Sequence, residues 1–279
     1  MKRKINLIYA AIIAVLLTSC ATTSFYQVYK AVPSNKLTNV DNSLIYEDDN
    51  CKVLYNFWDQ GGNIGFRFYN KTDKNIYLNL EESFFILNGI AYDYFRNRVF
   101  TYSSSSGSTT SKSKTASKSV IGFNYLDFLQ INTAQATSSV GLTASSGRST
   151  SYNEEKVICI PSKTSKIITE YKINESLYRD CDLFKYPTKK QVKSKKFSKA
   201  ESPIVFSNRI AYTIEQSDNL IKFENEFYIA EISNYPENVL IESKHGMFCG
   251  QATVTKYFKN ASSDKFYIKY TKGKDKWKH

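Results

Sequence analysis

Few side chains in this chain are placed to do covalent chemistry. Histidine occurs twice, as His245 and His279. His245 stands four residues before Cys249, and a Cys/His pair acts as nucleophile and base only when the two touch. In an extended segment that spacing puts both side chains on one face but about 13 Å apart, so no dyad is expected. The G-x-S-x-G elbow of serine hydrolases does not occur. Gly61-Gly62-x-x-Gly65 has the glycine content of a phosphate cradle, but such a loop follows a strand and opens a helix, so that the helix N-terminus meets the anion. Strand-like alternation flanks this one on both sides, and a hairpin turn is expected instead. Glu47-Asp48-Asp49 and Glu81-Glu82 are the clusters from which a glycosidase pair or, at Asp48-Asp49, a Ca²⁺ site would be drawn. Both fall at predicted strand ends, where acids face solvent. With the cysteines far apart in sequence and so little histidine, metal binding is not expected. No catalytic residue, cofactor site or metal site is assigned on these grounds.

Cys20 is the exception. Lys2, Arg3 and Lys4 precede an apolar run from Ile5 to Leu17 of about 13 residues, diluted only by Asn6 and Tyr9, which is the pattern of an export signal. A membrane-spanning helix needs about 20 apolar residues, whereas the chain turns at Ala21-Thr22-Thr23-Ser24 to small and polar residues. Residues 1–19 are therefore predicted to be a signal peptide, and a permanent transmembrane helix is the weaker reading.

The four residues Leu17-Thr18-Ser19-Cys20 resemble the processing box of bacterial lipoproteins: an aliphatic residue, two small ones and a cysteine. The resemblance implies that Cys20 becomes the first mature residue and carries the lipid. The thioether chemistry needs a thiol, because a thiolate is a far better nucleophile than a hydroxyl, and two or more acyl chains give stable anchoring where one gives only marginal binding. The box implies an address and not an activity: the cell envelope, with the outer membrane expected, the face left open, and the membrane met through the N-terminal lipid.

The chain is strongly basic, with 38 Lys and Arg against 26 Asp and Glu. Such a surplus suits nucleic acid, anionic headgroups or acidic glycans. An exported, lipid-anchored protein meets little nucleic acid, so an envelope protein or a glycan is the expected partner. In an oxidising envelope Cys51, Cys159, Cys181 and Cys249 are candidates for disulfides, with buried free thiols as the alternative, and sequence alone does not choose a pairing.

The elements that must position these residues are strands. Residues 20–42 read as a tether whose aromatic part, Phe25, Tyr26, Val28 and Tyr29, docks as an edge strand. From Ser43 the pattern becomes period-two. Val53, Tyr55 and Phe57 alternate with Leu54, Asn56 and Trp58; Asp59-Gln60-Gly61-Gly62 turns the chain; Ile64, Phe66 and Phe68 alternate with Gly65, Arg67 and Tyr69. Asn88-Gly89 suits a type I′ turn, whose two central residues take positive φ. Further strands are predicted in KVICIP, KIITEY, PIVFSNRIAYTIE, KFENEFYIAEISNY and around His245 and Val254, with a short helix capped by Asn174 running through Leu177, Cys181 and Leu183. The fold class is mainly β: an antiparallel β-sandwich, immunoglobulin-like, over residues 43–260, with at most short helices.

Residues 102–152 interrupt it with a low-complexity Ser/Thr-rich insertion around the island VIGFNYLDFLQI, much longer than an ordinary loop and expected to be poorly ordered, an amphipathic bilayer-entering hairpin being a minor alternative. Residues 261–279 form a basic C-terminal segment. A binding surface is sought in outward tyrosines, Tyr69, Tyr77 and Tyr92, which would offer a glycan apolar faces with a polar handle, and in the lysine-rich stretch 185–199, through Lys189, Lys190, Lys195 and Lys196, which suits headgroups.

Residues 43–260 as a whole resemble cell-envelope lipoproteins of Bacteroidota-type bacteria, through FYNKTDKNIYLNLEESFFILNG, CIPSKTSKIITEY and FYIAEISNY. That resemblance implies a β-sandwich and brings no activity. The functional expectation is a lipid-anchored, non-enzymatic envelope protein that binds or organises another envelope component. A surface glycan-binding lipoprotein is the alternative, and a glycoside hydrolase comes third.

Overall fold

The computed structural model describes residues 24–34, 37–106, 146–215 and 217–273. In chain order the strands are β1 (Ser24–Pro33), β2 (Thr38–Val40), β3 (Ser43–Glu47), β4 (Cys51–Tyr55), β5 (Phe66–Asn70), β6 (Ile76–Leu87), β7 (Ile90–Asp93), β8 (Val99–Ser106), β9 (Ser146–Asn153), β10 (Val157–Ile160), β11 (Ser165–Ile168), β12 (Ser194–Lys196), β13 (Val205–Ile214), β14 (Ile221–Pro236), β15 (Ile241–Phe248), β16 (Gln251–Phe258) and β17 (Lys265–Thr271). One helical turn, α1 (Glu237–Leu240), and two 3₁₀ turns, Lys189–Gln191 and Lys199–Glu201, complete the described elements. The main sheet has the order β10-β6-β13-β14-β1-β17, with β7 also on β6 and β12 also on β14; the second sheet runs β11-β5-β4-β3-β2. Every strand ladder is antiparallel. The protein is a mainly β, antiparallel, sandwich-like fold, as the alternation predicts.

Alternation explains why the sheets face each other. In β5, Phe66 and Phe68 are buried while Arg67 and Tyr69 are half-buried; in β14, Phe227 and Ile229 are buried while Tyr228 and Ala230 are half-buried. The inward sets meet across the interface, Tyr55 against Phe227 at 5.4 Å and Phe68 against Tyr212 at 5.5 Å between ring centroids. Each such ring contributes about 1.5–3 kcal/mol by leaving water, and edge-to-face packing adds to it. Asn88-Gly89 closes β6 onto β7 with φ of 49° and 81°, the positive pair expected of a type I′ turn.

Four expectations change. Ser24–Pro33 is no tether and no edge: β1 lies between β14 and β17. Tyr29 and Ala31 enter the main core, while Tyr26 and Val28 pack outward with Trp58 and Leu240. A strand covered on both faces has no polar alternation to betray it. Residues 261–279 likewise contain β17, whose Phe266, Ile268 and Tyr270 point inward between more exposed neighbours, so the sandwich extends past residue 260. The helix expected after Asn174 does not form. Asn174 Oδ1 accepts from the Ser176 amide at 3.0 Å, and Gln27 and Tyr29 of β1 take the loop backbone instead: Gln27 Nε2 donates to the Tyr178 carbonyl at 2.9 Å, and the Tyr178 amide donates to Gln27 Oε1 at 2.6 Å. The ends of the Ser/Thr-rich insertion pair as β8 and β9, a two-stranded ribbon. Its island and the rest of 107–145 lie outside the described residues, as does Cys20.

Candidate functional site

The residues marked by sequence do not converge on one centre. Cys51, Cys159, Cys181 and Cys249 are all unbridged, so the disulfide expectation is corrected: they stand on β4, on β10, in the loop before β12 and in the turn after β15. Cys51 is fully buried, and burial first, then the neighbouring Asp48 carboxylate, pushes its thiol well above the ordinary range, the opposite of what a nucleophile needs. The acids are engaged locally. Asp48 Oδ1 accepts from the amides of Asn50 and Cys51 at 2.8 and 2.7 Å; Glu47 pairs with Lys71 at 2.8 Å, Glu81 with Lys156 at 3.1 Å and Glu82 with Lys222 at 2.7 Å. Gly61-Gly62-x-x-Gly65 lies in the β4–β5 connection, and a Cβ on Gly62 would fall 2.8 and 2.9 Å from Phe266 and Ile173, so its glycine serves close packing.

The three tyrosines do not form one platform. Tyr69 and Tyr77 follow inward Phe68 and precede inward Leu78 on different sheets, and therefore face away from each other across the sandwich. Tyr92, on β7, stacks on Phe85 and packs at a tilt against Tyr171. The lysine stretch is also divided. Lys189, Lys190 and Lys196 are exposed, but Lys195 is held by Asp182 and Asp180 at 2.9 and 3.3 Å.

What sequence reading missed is an assembly at the Ser24 end of β1. There β14 ends in Pro236, α1 comes next, and β15–β16 rises as a hairpin with the positive-φ pair Cys249-Gly250 at its turn, at 49° and 79°. Its base is fixed on the outer face of the main sheet: Phe258 meets Tyr26 at 5.7 Å and Trp58 at 5.1 Å, and the Lys259 amide donates to the Leu240 carbonyl at 2.9 Å. One step further, Ser243 and Lys256 line a cleft with Ser24, Pro236 and Glu237. The base lies at the level of Tyr26 and the Ser243/Lys256 pair at the level of Ser24, so the hairpin points along β1 in the direction from Tyr26 to Ser24.

Beyond that cleft the hairpin is exposed throughout, apart from Thr255. Met247 is 77%, Phe248 73% and Val254 60% exposed. Around the same end, Lys269 lies 5.7 Å above the Tyr26 ring and Lys272 5.9 Å above Tyr186, which itself packs on Phe25. The acid lining the cleft, Glu237, is held by Lys256 at 3.1 Å. The assembly joins exposed apolar side chains to lysines resting on aromatic faces. The signal was present in the sequence as two short alternating runs around Cys249-Gly250, with Met247-Phe248 at their junction. Comparison with protein-family models, curated proteins and solved structures finds no match to this chain.

Proposed function

We propose that this chain is a lipid-anchored protein of the bacterial cell envelope, held at the outer membrane through Cys20, with a non-enzymatic role in binding or organising another envelope component. The observation that supports it is the distance along the chain between lipid site and fold. Leu17-Thr18-Ser19-Cys20 ends four residues before Ser24, where an interior strand begins. Four residues span at most about 14 Å, so a lipid on Cys20 holds this end of the sandwich at the bilayer surface with no long tether between.

An alkyne-tagged fatty acid fed to cells expressing the full chain, followed by fluorophore coupling and fractionation, tests this. Label on the protein in the membrane fraction is expected, with its loss in Cys20→Ser. An unlabelled protein, or label that survives Cys20→Ser, would overturn the reading.

A further inference from the structure

We infer that the β15–β16 hairpin is a second membrane contact, its Met247-Phe248 tip entering the interface of the same leaflet that holds the lipid of Cys20, on a surface bearing anionic headgroups. The inference rests on the anchoring proposed above and adds a partner for a feature that anchoring alone leaves unexplained.

The hairpin reaches slightly further than the chain to the lipid site can. From the Ser243/Lys256 pair beside Ser24 to Phe248 is five residues of strand, about 17 Å at the usual rise. The chain from Ser24 back to Cys20 covers at most about 14 Å and leaves from the same end of the sheet. A lipid seated in the bilayer therefore brings the tip at least to the same plane.

The side chains of the hairpin are distributed to match. Cross-strand partners share a face, so His245/Val254 and Met247/Ala252 lie on one face, and Lys244/Thr255 and Phe248/Gln251 on the other. Met247 and Phe248 thus clothe both faces of the tip. A docking partner with a single groove would select one apolar face, whereas an end-on approach to an apolar medium selects an apolar tip on all sides. Charge is graded along the same axis. Lys244 lies 5.2 Å over the Tyr257 ring, and Lys269 and Lys272 stand beside the cleft, where Lys256 is paired with Glu237. These lysines sit nearer the base than the tip, at the level that headgroups occupy when the tip is immersed.

The same physics limits depth. Both edges of a two-stranded ribbon carry unpaired backbone N–H and C=O groups, which hydrocarbon does not tolerate. Only the turn and its nearest residues enter, and the contact is interfacial.

The test uses the full chain with a Phe248→Trp reporter, in vesicles of phosphatidylethanolamine and phosphatidylglycerol, quenched in turn by bromine-labelled acyl chains and by aqueous acrylamide, with the parent protein as background for Trp58 and Trp277. Phe248 is exposed, so the substitution leaves the core intact. We expect bromolipid quenching of the added tryptophan about twofold above the parent, with acrylamide quenching reduced, and loss of both effects in Phe248→Trp combined with Met247→Asp. Free access to acrylamide without bromolipid quenching would overturn the inference. So would shielding from acrylamide without bromolipid quenching, which would place a protein, or a second copy of this chain, on the tip. The lipid on Cys20 is measured by mass on the same sample: lipid without quenching removes the hairpin contact alone, and quenching without lipid removes the anchor and leaves the contact.

Discussion

At the scale of single residues, the structure sorts the thiols and the ion pairs by environment. Cys181 and Cys249 are exposed, Cys159 is half-buried and Cys51 is buried beneath Asp48 and Tyr212. A maleimide applied to the native protein is therefore expected to modify Cys181 and Cys249 within minutes and Cys51 only after denaturant is added, as read by peptide mass; a native protein with no reactive thiol would restore the disulfides. Arg98 clasps two acids where the β8–β9 ribbon leaves the sandwich, Glu154 and, at 2.5 Å, Glu170. Burial alone would raise the Glu154 carboxyl, but hydrogen bonds from the Arg98 side chain and from the Arg98 and Arg96 amides outweigh it and hold it at about 2, below its ordinary 4.5. A carboxyl lowered in the folded state stabilises fully above pH 4.5 and progressively loses that contribution as pH falls toward 2. Arg98→Met is expected to cost about 2 kcal/mol at neutral pH and to flatten the acid limb between those values, measured by urea unfolding at a series of pH values. An unchanged acid limb would remove Glu154 from the account of acid sensitivity.

At the scale of elements, the strands with one wet face were legible in the sequence and those without were not. Phe66-Arg67-Phe68 and Phe227-Tyr228-Ile229 announce their burial by alternation. β1 does not, because Tyr26 and Val28 are covered from outside by Trp58, Leu240 and Phe258 as Tyr29 and Ala31 are from within. β17 was hidden differently, its inward Phe266, Ile268 and Tyr270 set among lysines that read as a tail. The candidate surface escaped because the contacts that fix the hairpin base, from Phe258 to Tyr26 and Trp58, join distant parts of the chain. If β1 is interior, Tyr29→Ala removes the stack on Phe266 at 4.6 Å and the hydrogen bond to the Ser176 carbonyl, at a cost of about 3–5 kcal/mol; a mere tether would tolerate it, and thermal unfolding separates the two. Gly62 and Gly89 give a matched contrast. Both have positive φ, at 75° and 81°, but a Cβ on Gly89 meets nothing within 4 Å while one on Gly62 strikes Phe266 and Ile173. Gly89→Ala should cost about 1 kcal/mol from conformation alone, and Gly62→Ala roughly 3 kcal/mol once overpacking is added, both read from denaturant midpoints. Equal costs would contradict the packing assigned to Gly62.

At the scale of the whole molecule, position relative to a membrane gathers the separate features into one arrangement. The interior strand β1 begins at the end of the sandwich that carries the hairpin, the aromatic-seated lysines and the cleft around Ser24. On the proposed anchoring through Cys20, that end would face the bilayer and the far end, where β13 and β14 meet at Tyr212 and Ile221, would face away from it. Everything in this arrangement depends on the first mature residue. The most direct measurement is the mass of the N-terminal peptide of the protein extracted from envelope membranes. The expected result is a peptide that begins at Cys20 and carries two or more acyl chains. A peptide that retains residues before Cys20, or that contains Cys20 as an unmodified thiol, would contradict it.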